Sequence, residues 1–153
     1  MAVYFCDSSA LVKCYVQEQG SAWMRTLLDP TVGHHLYLAS ITSVEVIAAV
    51  ARRLRRGDIA AMDGTAAMAQ FRQDIAQHYR LIDLTAPLVA RAMTLAETHG
   101  LRGYDAVQLA TAVEVHMRGL TLGLPALTLV SADGELNTAA QAEGLIVEDP
   151  NMH

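Results

Sequence analysis

Apolar positions along the chain fall into two alternating kinds of run. Five short segments rich in leucine, β-branched or aromatic residues, Val3–Cys6, Leu36–Ala39, Leu81–Leu84, Leu127–Val130 and Leu145–Val147, have the length and composition of buried strands. Between them, apolar residues recur every three or four positions. The clearest cases are Val44, Ile47, Ala48, Ala51 and Leu54, and then Ala106, Leu109, Ala110, Val113 and Met117. That period predicts amphipathic helices. Further helices are predicted at Ser9–Val16, Ser21–Leu28, Ile59–Gln77, Pro87–Thr98 and Glu135–Glu143. Pro87 suits a first helical turn, and Gly57, Gly100, Gly119 and Gly144 each follow a periodic stretch, where a left-handed cap favours glycine. Strands alternating with helices imply right-handed crossovers. The expected architecture is α/β, a three-layer α/β/α sandwich with a mainly parallel central sheet of about five strands. No internal repeat and no Pro/Gly/Ser-rich linker divides the chain, so residues 1–153 read as a single domain.

Composition sharpens this picture. Hydrophobic residues make up 52% of the chain and charged ones 18%, enough to bury a core. Eleven Lys and Arg against 16 Asp and Glu leave a net charge of −5, which argues against a protein that coats nucleic acid by charge alone. The N-terminus has no cationic run ahead of its apolar residues, so secretion through a signal peptide is not expected. The longest apolar stretch, Leu120 to Val130, is broken by Gly123 and Pro125 and falls short of the ~20 residues that span a bilayer. Cys6 and Cys14 form no Cys-x-x-Cys pair, and both read as reduced core residues of a cytoplasmic protein.

In open parallel sheets, ligands bind beyond the carboxyl ends of the strands. Asp7 directly follows the first strand, Glu45 lies in the first turn after the second, and Asp133 comes three residues after Val130. Asp105 opens the helix that begins near Gly103. Four carboxylates around one sheet edge repel one another unless a cation sits among them, and an all-oxygen set suits Mg²⁺ or Mn²⁺. Each also has a purely structural reading, because acidic residues favour helix N-termini as caps and dipole partners. A capping box led by Thr42, with Glu45 at its third position, would explain Glu45 completely. Asp7 is the exception, since Ser8 or Ser9 could cap the next helix without a full charge.

Taken together, Asp7-Ser8-Ser9-Ala10-Leu11-Val12-Lys13, Ser43-Val44-Glu45-Val46, Tyr104-Asp105-Ala106-Val107-Gln108-Leu109-Ala110-Thr111-Ala112 and Ser131-Ala132-Asp133 resemble the PIN-domain ribonucleases. The resemblance is greatest to the VapC toxins of bacterial toxin–antitoxin pairs, and it continues to Ala139-Ala140-Gln141-Ala142-Glu143-Gly144-Leu145. It implies that Asp7, Glu45, Asp105 and Asp133 bind one or two Mg²⁺ or Mn²⁺ ions and that the chain is an endoribonuclease. Such an enzyme hydrolyses RNA phosphodiester bonds to a 5′-phosphate and a 3′-hydroxyl. Metal held by carboxylates can activate water and offset charge on the leaving oxygen, so no protein nucleophile is needed. VapC-like relatives typically cut transfer or ribosomal RNA, pair with a VapB-like antitoxin and form homodimers.

Around this set, Arg102, Tyr104 and Ser131 are candidates for substrate contact, and Ser8 and Ser131 for hydrogen bonds to the carboxylates. Tyr104 and Tyr15 could stack on a base. Gln108 departs from the histidine or apolar residue of many relatives without touching the acidic set, and Lys13, the only lysine, reads as a solvated helix residue. The run Arg52-Arg53-Arg55-Arg56 complements a helix C-terminus or contacts RNA or a partner. His34-His35 lacks a third ligand at zinc spacing, and Trp23, Leu27 and Leu28 read as core or dimer surface.

Two other readings compete with the nuclease. An aspartyl-phosphate phosphotransferase using Asp7 would want a second acid two positions later, where Ser9 stands. An inactive PIN-fold binding protein would be favoured by a lost carboxylate, yet all four are present. With those four set aside, the 16 acidic residues fall to twelve against 11 basic ones. RNA binding is therefore expected to be weak without divalent metal and stronger with it.

Overall fold

The computed structural model describes residues 1–153. Strand β1 (Val3–Cys6) is the middle of a five-stranded sheet. It pairs with β2 (His35–Ala39) in the register Tyr4 to Leu36, and with β4 (Leu127–Val130) in the register Phe5 to Leu129. The short strands β3 (Arg80–Ile82) and β5 (Ile146–Glu148) close the two edges, giving the order β3-β2-β1-β4-β5 with every pairing parallel. Three-residue edge strands offer little template for pairing with another chain.

Strand alternation divides the core in two. Val3 and Phe5 of β1, Ala39 of β2 and Leu127 and Leu129 of β4 point to one face. There they meet α5 (Ala86–His99), α6 (Gly103–Thr121) and α7 (Gly134–Ala142). On the other face Cys6, Leu36, Leu38 and Val130 meet α1 (Ser8–Leu11), α2 (Ser21–Leu27), α3 (Ser40–Arg56) and α4 (Ala61–Gln77). The result is the α/β/α sandwich expected from the pattern, with a sheet that is wholly rather than mainly parallel. No helix is long and apolar enough to cross a membrane.

Three local expectations change. The segment predicted as one helix over Ser9–Val16 is a single α-turn followed by a 3₁₀ turn at Val12–Cys14. This break leaves Ala10 and Leu11 against the sheet and lets Val12 and Val16 pack separately with Val50 of α3. Lys13 is not solvated: it is 6% exposed and pairs with Glu18 at 3.5 Å. Helix α3 begins at Ser40, two residues before Thr42, with Ala39 in the cap position and no side-chain cap. Gly20, at φ +82°, enters α2 so close to Pro150 that a Cβ would collide with its carbonyl, which ties the C-terminal turn to this face.

Candidate active site

The chain runs outward from β1 to β3, returns, and resumes at β4, so the β1/β4 boundary is where the connections change direction. Crevices form beyond the strand ends at such a point. Asp7 stands there, directly after β1, its backbone N–H donating to the Val130 carbonyl at the end of β4. Its carboxylate caps α1 through the Ala10 N–H at 3.1 Å. It also accepts from Ser9 Oγ, at 2.7 and 2.9 Å to its two oxygens, and from Ser131 Oγ at 2.9 Å. Asp7, not a serine, is thus the cap, and the structural and site roles coincide in one side chain. It is 3% exposed. Burial pushes its carboxyl up to about 6, against the lowering effect of those hydrogen bonds, and the nearby Asp133 charge adds to the rise.

Asp133 caps α7 through the Leu136 N–H at 3.0 Å, and its own N–H donates to Ser131 Oγ. Asp105 lies in the first turn of α6. Partial burial raises its pKa first, then the charges of Asp133 and Glu45, while Arg102 pulls it down. Glu45 lies in the second turn of α3, held by Gln108 Nε2 at 2.9 Å and Ser8 Oγ at 3.2 Å. The proposed capping box is absent, because Thr42 is buried inside the helix and accepts from the same Gln108 Nε2 at 2.8 Å.

All four carboxylates predicted from the sequence therefore face the same end of the sheet. None takes part in an ion pair; the pairs in the molecule use Glu18, Glu114, Glu143 and Glu148. They surround the crevice without closing on one point, since no three acidic, His or Cys side chains converge as a ready-made metal cage. A buried carboxylate with no cation beside it, facing the same crevice as three further carboxylates, nonetheless suits a hard divalent ion in charge and donor type.

The supporting residues divide differently than expected. Ser131 is fully buried with its hydroxyl given to Asp7, which puts it behind the carboxylate and out of a substrate's reach. Tyr15 is also unavailable for stacking, because its hydroxyl bonds Asp74 at 2.7 Å and Tyr79 at 2.6 Å. Arg102 and Tyr104 are exposed at the mouth. Trp23 stacks flat on His153, and Leu27 and Leu28 are core. Sequence reasoning missed two positioning groups. Ser9 serves Asp7 and also accepts from the Ala132 N–H at 2.9 Å, joining α1 to the loop after β4. Gln108 is 2% exposed and orients Glu45, and its spacing of one turn from Asp105 was the only available signal.

The PIN-domain model matches residues 4–141 of this chain. The chain belongs to the PIN-domain family. Within that family it is 36% identical over 143 residues to ribonuclease VapC45 of Mycobacterium tuberculosis, covering 93% of this chain and 91% of the relative. Solved structures share its fold over most of the chain. The M. tuberculosis toxin VapC20, which cleaves the sarcin–ricin loop, aligns with a TM-score of 0.62 at 16% identity, over 94% of this chain and 96% of that one. VapBC2 of Rickettsia felis, bound to a DNA fragment from its promoter, aligns with a TM-score of 0.58 at 14% identity, over 96% and 98%.

Proposed function

We propose that this PIN-domain protein is a divalent-metal-dependent endoribonuclease toxin that hydrolyses RNA phosphodiester bonds and is silenced by a cognate VapB-like antitoxin. The observation that carries the reading is Asp7: a carboxylate buried at the β1/β4 boundary, held in place by three donors, and left without a cation among three other carboxylates.

Asp7, Glu45, Asp105 and Asp133 are the residues that would hold one or two Mg²⁺ or Mn²⁺ ions. The metal would supply Lewis acidity, easing loss of a proton from the attacking water and offsetting charge on the leaving oxygen. The protein's part is orientation. Ser9, Ser131 and the Ala10 N–H fix Asp7, and Gln108 and Ser8 fix Glu45, so their lone pairs need not reorganise during reaction. Arg102, exposed beside Asp105, would meet a substrate phosphate, and the exposed Tyr104 a base.

Asp7 is unsuited to the phosphotransferase role, because a buried carboxylate with both oxygens hydrogen-bonded is a poor nucleophile. Transfer RNA or ribosomal RNA is the proposed target, with lower translation the consequence, and a homodimer is the proposed assembly.

The deciding experiment incubates purified protein with total RNA in Mg²⁺ or EDTA and maps the new 5′-ends. Cleavage is expected only with metal and should fall at least about a hundredfold in Asp7→Asn and Asp105→Asn, the scale of losing electrostatic groups aimed at a transition state. Undiminished cleavage by both variants would show that the site is assigned wrongly. Co-expression with the product of an adjacent small reading frame should abolish cleavage if that product is the antitoxin.

A further inference from the structure

The structure separates the four arginines that the sequence presents as one cluster. Only Arg52 and Arg53 line the groove of about 630 Å³ that also holds Glu45. Arg53 is already committed, through Nη2 to Glu18 at 3.1 Å and Nη1 to the Ala49 carbonyl at 3.2 Å. Arg52 is exposed and has no partner. It lies seven residues after Glu45, two turns along the same face of α3, so the Cα atoms are separated by ~10 Å along the axis. That is about three nucleotides at the ~3.4 Å rise of a stacked strand. The floor between them is small, because Ala48 occupies the intervening turn. At the carboxylate end two large side chains stand open to solvent: Val44, next to Glu45, is 68% exposed and Tyr104, next to Asp105 on α6, is 62% exposed.

We infer that this groove is the seat of a single-stranded RNA segment flanking the cleaved bond. Arg52 grips a phosphate about three nucleotides away, Ala48 leaves room for the strand between, and Val44 and Tyr104 meet bases at the carboxylate end. Charge supports RNA as the occupant: the free guanidinium is at the end of the groove away from the carboxylates, which fits a polyanion whose reacting phosphate lies among them. Arg52 would be a positioning residue that touches substrate outside the reacting centre. The inference rests on the endoribonuclease reading and adds to it where on the surface the substrate runs.

The test compares Arg52→Ala, Ala48→Leu and, as a control outside the groove, Arg55→Ala. Each is assayed in Mg²⁺ on a fluorescein-labelled, unstructured RNA long enough to cross the groove and on a dinucleotide that carries only the scissile bond. Expected for Arg52→Ala on the long RNA is a KM raised about tenfold with kcat little changed. Its log KM should also depend less steeply on log salt, by about 0.7 for one lost phosphate contact. Ala48→Leu, which fills the floor without changing charge, should raise KM on the long RNA alone. Arg55→Ala should match wild type. Unchanged kinetics in both groove variants, or an equal loss in Arg55→Ala, overturns the inference while leaving the nuclease reading intact. If the wild-type chain cuts no RNA, both fall.

Discussion

At the scale of single residues, Asp7 concentrates the cost of the site. Its carboxyl ordinarily titrates at 3.8 and here at about 6, because burial disfavours the charge more than Ser9, Ala10 and Ser131 favour it. The sign of the consequence follows from linkage. Below pH 4 the folded and unfolded chains both carry the proton and the group costs nothing. As pH rises, the unfolded chain ionises first, and above about 6 the folded state carries the full burden, on the order of 3 kcal/mol for a shift of about two units. In EDTA, Asp7→Asn should therefore gain melting temperature relative to wild type between pH 4 and pH 7, with the gap level above pH 7. A gap that does not change with pH would mean that the charge on Asp7 is not what strains the fold. The position of Asp7 was legible in the sequence because it ends a strand. Ser131 and Tyr15 were not, since whether a hydroxyl meets substrate or a buried partner depends on what folds over it.

At the scale of elements, the arrangement depends on contacts between helices. Gln108 crosses from α6 to α3 and supplies both Thr42 and Glu45 from one amide nitrogen. Replacing it by leucine keeps the volume roughly constant and removes the link. Expected is a kcat about tenfold lower, equivalent to ~1.4 kcal/mol in the barrier, with KM nearly unchanged. Glutamate at the same place should do worse, because it sets a like charge against Glu45. A rise in KM alone would place Gln108 in binding rather than in orienting the carboxylate. The helices themselves were legible from apolar period and punctuation, with limits correct to within a few residues for α4, α5 and α7. The start of α3 was not. A Thr-x-x-Glu pattern predicts a cap from local chemistry, but the helix runs on from Ala39 and Thr42 is buried within it, where its hydroxyl accepts from Gln108.

For the whole molecule, charge and stability meet at the same edge of the sheet. The net charge of −5 is not spread evenly, since four carboxylates face one crevice with no basic partner within ion-pair distance. A divalent ion bound there should stabilise the fold by mass action. At ten times its Kd the gain is about 1.4 kcal/mol, or roughly 3–5 °C for a chain of this size. Thermal melts with and without Mn²⁺ should show that rise in the wild type and little of it in Asp7→Asn. Equal shifts in both would place the ion elsewhere. By itself the sequence determined the strands, most of the helices, a mainly parallel sheet and four acids near the ends of strands and the starts of helices, because those follow from periodicity and local backbone chemistry. Only the tertiary structure decided which donors hold each carboxylate, which arginines line the groove and which hydroxyls are lost to the core. Those outcomes turn on side chains up to 124 residues apart in sequence, Ser131 on Asp7 being the longest span, which are brought together by packing two helical layers on one sheet.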